Sequence, residues 1–292
     1  MMTCPVREGP WAFIAEGQCL WGRVSGRFYD QNSTAQTLGF DETNFQVSGG
    51  GQVALAGAWR LGGALGYEHS ELETSTNASS DGDRFNGGAV LSYNPGQLLL
   101  AAAVSGGVGS YDIDRPISFT GFSARAAGDT DIGNVTGRLR AAYLFSAGAW
   151  YAKPQVDLNA THLDLDGVHE GGGGGANLAV KGNDETYLSA SPSIELGTQL
   201  QWASGVLVRP YVRGGVTVFD ETDFTLQASF LGAPSQVAPF RIATGIDDVV
   251  ADVSAGVEVL SAGGASLKLF YDGRFGDTIE ENAGGAKATV PF

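Results

Sequence analysis

Residues 150–160 read WYAKPQVDLNA, and this stretch decides the fold. Trp150, Ala152, Pro154, Val156, Leu158 and Ala160 share one parity, while Tyr151, Lys153, Gln155, Asp157 and Asn159 share the other. A period of two is that of an extended strand with one oily and one wet face; a helix, with its period of 3.6, does not produce it. The split recurs at 188–200, where Leu188, Ala190, Pro192, Ile194, Leu196 and Leu200 oppose Ser189, Ser191, Ser193, Glu195 and Gln199. It recurs at 206–218, where Val206, Val208, Pro210, Val212, Val216 and Val218 oppose Arg209, Tyr211, Arg213 and Thr217. From 249 to 259, valines and alanines alternate with Asp252, Ser254 and Glu258.

Working outward, the same reading gives twelve strands, at 19–30, 43–56, 60–70, 83–93, 97–111, 132–145, 149–161, 187–200, 206–219, 245–260, 264–275 and 282–292. Most have ten residues or more, long for a soluble strand and matched to a tilted membrane-crossing one, which needs about 9–11. Five connections are very short, around 57–59, 94–96, 146–148, 202–205 and 261–263. They alternate with six others, centred near 36, 76, 121, 174, 232 and 278, most of them longer, polar and acidic. Short turns at one rim and long loops at the other predict an all-β, membrane-spanning, 12-stranded antiparallel β-barrel. The strands run upward first, which sets the short turns towards the periplasm and the acidic loops outward.

Composition excludes the rivals. The chain has 292 residues, 44 of them glycine without a three-residue period, so it is not collagen. Charged residues make up 17% and hydrophobic ones 43%, which rules out wholesale disorder. A net charge of -15 is the wrong sign for a phosphate binder, so no nucleic-acid partner is expected. The uncharged run from Phe85 to Tyr111 is long enough for a transmembrane helix, but Asn94-Pro95-Gly96 interrupts it and glycines crowd it. It reads as two strands and a turn.

Charge placement is an independent check. Arg23, Arg27, Arg138, Arg140, Lys153, Arg209, Arg213, Lys268, Arg274 and Lys287 fall on the polar parity, as do Asp157, Glu195, Asp252, Glu258 and Asp272. A lipid-facing Arg or Lys at midplane costs about 2–4 kcal/mol, so lipid enforces such a rule. These basic residues are expected to line a pore, where they either favour the carbonyls and acidic side chains of a passing segment or pair with luminal acids and hold water. The remaining acids crowd the long loops. Aromatics near strand ends, among them Trp21, Phe28, Trp59, Tyr67, Tyr93, Tyr143, Phe145, Trp150, Trp202, Phe219, Phe275 and Phe292, are expected to form interfacial girdles.

Cys4 and Cys19 could close a loop of about 15 residues in an oxidising compartment, worth roughly 3 kcal/mol; the alternative is two unrelated thiols. The start, MMTCPVREGPWAF, lacks the basic and apolar regions of a secretory signal, so the chain either stays inside or belongs to a longer precursor. No cofactor or metal site is expected. Gly171–Gly175 lacks the Lys-Ser/Thr of a phosphate loop and reads as a flexible surface loop. A hydrolase would need His69, on the lipid parity, or His162 and His169, read as sharing one loop near Asp164, Asp166 and Glu170. Without a fixed scaffold for them, no enzyme is expected.

The last strand places Ala286, Ala288, Val290 and Phe292 on one face and ends in a terminal phenylalanine. Together with CLWGRVSGR (19–27), LGGALGY (61–67), RPYVRGG (209–215) and YDGRFG (271–276), it resembles the translocator (β) domain of type V autotransporters of Gram-negative bacteria. The match runs from about residue 12 to 292. The resemblance implies a monomeric barrel in the lipid and lipopolysaccharide of the bacterial outer membrane. It implies insertion by the barrel assembly machinery, which reads Ala288, Val290 and Phe292, and a pore through which an N-terminal passenger reaches the cell surface. Residues 1–17 are then a stub left from the linker and 18–292 the barrel, with Cys4 and Cys19 pinning the stub. The alternatives are a passenger-less channel or anchor, whose open lumen would be weakly anion-selective, and an outer-membrane hydrolase.

Overall fold

The computed structural model describes Cys4 and residues 16–34, 37–202, 205–220, 223–234, 236–245 and 247–292. Twelve strands make one ring: β1 (Cys19–Gln31), β2 (Phe40–Ala54), β3 (Trp59–Thr74), β4 (Ser79–Tyr93), β5 (Leu98–Phe119), β6 (Phe122–Tyr143), β7 (Trp150–Leu165), β8 (Asn183–Thr198), β9 (Leu207–Phe219), β10 (Val249–Leu260), β11 (Ser266–Phe275) and β12 (Ile279–Pro291). Each pairs antiparallel with its sequence neighbours, and β12 closes on β1 from Gln31↔Ile279 to Cys19↔Pro291. Closure leaves no unpaired sheet edge, the condition for placing strands in hydrocarbon. The short pieces Phe145–Ala147 and Leu200–Gln201 add to β7 and β9 at the short-turn rim.

The parity read from the sequence is the parity of the wall. The outward apolar run goes from Phe85 to Tyr93 on β4, from Leu98 to Val108 on β5 and from Val208 to Val218 on β9. Eight to ten residues at about 3.3 Å, tilted by about 40°, give a band of roughly 20–25 Å. On it Leu65 is 76% and Val108 67% exposed, as expected where lipid and not protein supplies the contact. Beyond the band the outward positions turn acidic at the long-loop end, with Asp30, Glu71, Asp83, Asp131 and Asp164. Every Lys and Arg on the twelve strands except Arg125 has inward parity.

Aromatic pairs ring both ends of the band. Trp59–Tyr93 and Tyr143–Phe145, at 4.9 and 4.8 Å, sit at the short-turn end, and Tyr67–Phe85 at 5.4 Å at the other. Trp21 and Phe219 are corrections to the girdle expectation. Both have luminal parity, Trp21 two residues from Arg23 and Phe219 two from Thr217, so both point away from lipid.

Above the membrane band the sequence expectation of loops fails. β5 and β6 do not stop near 111 and 132; they run 22 residues each and pair to Phe119↔Phe122, a hairpin standing well above the ring. The two connections near 174 and 232 carry a second sheet, ordered Phe240–Gly245, Asp223–Phe230, Leu178–Val180, Val168–His169. Gly171–Gly175 is not a free loop: Gly171 exchanges two backbone bonds with Ala127 of β6, at 2.7 and 2.9 Å, and Gly174–Ala176 form a short 3-10 turn. Gly172 has φ +88° and a side chain there would meet the Arg125 carbonyl oxygen at 2.6 Å, so this close approach requires glycine. His162 is likewise corrected from loop to strand, because β7 continues to Leu165; His169 lies in the second sheet. The connection near 278 shrinks to residues 276–278. The uncharged run behaves as read, with β4 ending at Tyr93 and β5 starting at Leu98.

Candidate functional site

The barrel encloses the site. Inward side chains of neighbouring strands come into register because antiparallel pairing sets like parities opposite each other. Arg140 of β6 lies opposite Asp157 of β7 and donates two hydrogen bonds to its carboxylate, at 2.6 and 2.5 Å. Lys153 of β7 lies opposite Glu195 of β8, at 2.7 Å, and Tyr151 donates to the same carboxylate at 2.8 Å. Arg209 reaches Gln199 at 3.2 Å and Glu258 at 3.9 Å. Arg213 donates to Ser254 at 2.6 Å and stands 3.5 Å from Asp272. Arg274 bridges Asp252, at 3.1 Å, and Glu281, at 3.9 Å. Arg138 donates to Asn159 at 2.5 Å. Pairs of this kind hold charge in the wall without exposing it to lipid.

The other expected pore residues sit differently. Arg27 touches Glu42 at 3.3 Å and Glu68 at 4.0 Å. Three cations stack on aromatic faces: Arg23 on Phe270 at 4.4 Å, Lys268 on Tyr211 at 4.3 Å and Lys287 on Trp21 at 5.0 Å. Such contacts contribute about 0.5–2 kcal/mol each. Sequence reading missed these ring partners, although the parity rule alone places Trp21, Tyr211 and Phe270 inside. It also passed over Arg60, Arg84 and Arg115, which obey the same rule.

Between these walls lies a polar cavity of about 530 Å³, lined by Arg138, Arg140, Lys153, Asp157, Glu195, Asp272 and their neighbours. At the short-turn end of the same wall, buried Leu144 and Tyr151 form a small apolar cluster with Leu99 from β5 and Tyr211 from β9 packed against them. Across the ring, Cys4 and Cys19 form a disulfide, both 1% exposed. The Glu16 carboxylate accepts from the Cys4 amide at 2.5 Å and from Gln52 at 3.1 Å, and Arg60 donates to the Glu16 carbonyl at 3.2 Å. Burial pushes the Glu16 carboxyl above its ordinary range, and the Cys4 and Gln52 hydrogen bonds pull it part of the way back. Of the expected stub, residues 1–17, only Cys4, Glu16 and Gly17 are described; residues 1–3 and 5–15 lie outside the described residues.

Ala288, Val290 and Phe292 line up on the lipid face next to β1, with Phe292 66% exposed. The histidines do not converge: His69 contacts Asp83 at 2.9 Å on the outer surface, His162 contacts Thr186 at 3.0 Å, and His169 pairs with Ala179 in the second sheet. Among the described residues, no group of three His, Cys, Asp or Glu side chains is arranged to hold a metal ion.

A family model, the autotransporter beta-domain, matches residues 20–272. No curated protein matches in sequence. Among solved structures, the translocator domain of the autotransporter NalP from Neisseria meningitidis superposes with a TM-score of 0.75 at 13% identity, covering 95% of this chain and 89% of that one. The beta domain of the Bordetella autotransporter BrkA gives 0.67 at 20% identity, covering 95% and 100%. The transport unit of AIDA-I from Escherichia coli gives 0.64 at 14%, covering 94% and 90%. At such identities the superpositions speak for the fold.

Proposed function

This chain belongs to the autotransporter beta-domain family, and from that premise we propose that it works in the bacterial outer membrane as the barrel through which a passenger segment, encoded upstream, is delivered to the cell surface. The observation that carries the reading is the one-sided wall. An apolar band faces out, and a ring of Arg and Lys faces a closed lumen with polar space for an extended or helical chain. The barrel acts as a monomer held in lipid and lipopolysaccharide. The assembly machinery recognises the outward ridge of Ala288, Val290 and Phe292 on the closing strand. The chemistry asked of the lumen is passage and not bond-making, so no side chain is assigned a catalytic role.

The test is direct. An epitope-tagged segment is joined ahead of Met1 behind a secretory signal in a Gram-negative host, and intact cells are treated with protease. The expected result is a folded barrel, migrating faster in unheated gels, with the tag cut from outside. Deleting Phe292 should abolish both. A folded, inserted barrel whose tag stays in the periplasm would overturn the reading in favour of a passenger-less anchor.

A further inference from the structure

The outer mouth is roofed on one side only. The second sheet is rooted in β7 to β10 and is fastened to the projecting β5–β6 hairpin. Arg115 of β5 donates two hydrogen bonds to Glu170, at 2.8 and 2.5 Å, and a third to the Ala176 carbonyl at 2.9 Å. Inward-facing Ile117 and Ala126 are buried there together with Val168 and Ala228, the last at 1% exposure. At its far edge the sheet reaches β1 by a hydrogen bond from Gln31 Nε2 to the Gly245 carbonyl, at 2.7 Å. Both fastenings use inward-facing side chains, Arg115 and Gln31, so the sheet lies over the lumen. Among the described residues it makes no strand pairing with β2, β3 or β4, and the β3–β4 connection is only the four residues 75–78.

Beneath that unroofed sector the wall is peculiar. Among the described residues, the buried side-chain polar atoms without a hydrogen-bond partner are all donors: the Trp21 indole N–H, the Nε–H groups of Arg23, Arg27 and Arg84, and the Asn44 amide nitrogen, from β1, β2 and β4, although Arg27 also donates to Glu42 and Arg84 to Asn134 through their terminal nitrogens. A buried donor without an acceptor is unfavourable, so such a set fits a wall whose acceptors are supplied by a chain in the lumen. On the opposite wall Arg140 and Lys153 each have a close carboxylate of their own, Asp157 at 2.5 Å and Glu195 at 2.7 Å.

We propose that a segment leaving the barrel exits along the β1–β2–β4 sector, docking its backbone carbonyls and acidic side chains on these donors while the second sheet covers the rest of the mouth. This rests on the transport reading above and names the side of the pore that it uses. The occupant is the passenger-linked segment of the same polypeptide.

Because the native cysteines are both in the disulfide, single introduced cysteines report cleanly. Asn44→Cys on β2 and Arg84→Cys on β4 are compared with Ser189→Cys on β8, which faces β2 across the ring. Each is combined with one cysteine in the tagged upstream segment, and crosslinking is read while the segment is in transit; only barrels with the folded gel shift are scored. Crosslinks at least several-fold stronger to Asn44→Cys or Arg84→Cys than to Ser189→Cys support the sector. A tag that reaches the surface while crosslinking equally or preferentially to Ser189→Cys overturns the sector and leaves transport intact. A tag that never reaches the surface, in barrels that fold, overturns transport and the sector with it.

Discussion

The two halves of the lumen solve the problem of inward charge differently. From β6 to β11, cations meet carboxylates on neighbouring or next-neighbouring strands: Arg140 with Asp157, Lys153 with Glu195, Arg213 with Asp272, Arg274 with Asp252. From β12 through β1 to β4, Arg23 and Lys287 lie on aromatic rings, and Arg23, Arg27 and Arg84 each leave an Nε–H without an acceptor, while Arg27 meets Glu42 and Glu68 only loosely, at 3.3 and 4.0 Å. The first half is self-sufficient, and its charges serve the barrel. The second leaves the Nε–H groups of Arg23, Arg27 and Arg84 as donors that a chain in the lumen can complete.

The sharpest way to break this comparison is to remove one carboxylate from each half. In Asp157→Ala, Arg140 keeps its charge in a wall where the two side chains are only 14% and 11% exposed. Stranding a buried charge in this way should lower barrel stability by about 3 kcal/mol. Glu42→Ala, which removes a looser and wetter partner of Arg27, should cost about 1 kcal/mol or less. Denaturant unfolding of vesicle-inserted barrels separates them. Equal losses would mean that the halves are not different.

The second effect concerns the start of β1. Cys4→Ser with Cys19→Ser, or reduction of the disulfide, frees a loop with a sequence separation of 15 residues. In the chain-entropy model that removes about 3 kcal/mol, less if the unfolded chain stays compact. Unfolding midpoints with and without reductant should differ in the native chain and coincide in the double variant.

The membrane-embedded wall was readable from the sequence, and the roof was not. Within the band, lipid on one side and water on the other impose a strict alternation on every strand, so Trp150 to Ala160 declares its own geometry. Above the band both faces of a strand can meet water or protein. β5 and β6 therefore continue to Phe119 and Phe122 through Asp112, Asp114, Asp129 and Asp131, where a reader of hydropathy sees a loop. The second sheet is harder still. Leu178–Val180 pairs with Ala228–Phe230, a partner some fifty residues away that no local pattern announces. At the site, the parity rule delivered the basic residues but not their partners. Parity says which side a group faces, whereas the Arg23–Phe270 contact depends on β1 and β11 standing two apart across β12.

A smaller effect sharpens the contrast from the other half. If the Nε–H of Arg23 is an unsatisfied donor in the resting barrel, Arg23→Met should leave stability within about 1 kcal/mol of the parent, because a lost ring contact is offset by a lost burial cost. The same substitution should slow delivery of the tagged segment, read as surface accessibility against time. A loss of 3 kcal/mol, as large as that of Asp157→Ala, would place Arg23 among the structural charges and erase the distinction.

The smallest effect is a pH dependence at the floor of the same half. Glu16 lies outside the strands, enclosed by Cys4 and Gln52, and burial holds its carboxyl above the ordinary value of 4.5. A carboxyl raised in the folded state binds its proton more tightly there than in the unfolded chain, so the folded barrel carries the extra proton. Stability should therefore be greatest at or below pH 4.5, fall as pH rises through the window between the ordinary and the raised value, and level off above it. Glu16→Gln, which keeps a hydrogen-bond acceptor for the Cys4 amide but does not ionise, should flatten that part of the profile without altering the acid-side limit. The profile is best read as the difference between the two chains in unfolding midpoint, because contributions common to both cancel in the subtraction. A difference that grows towards low pH would mean that the hydrogen bonds from Cys4 and Gln52 outweigh burial, and that the floor of this half is as self-sufficient as the wall opposite.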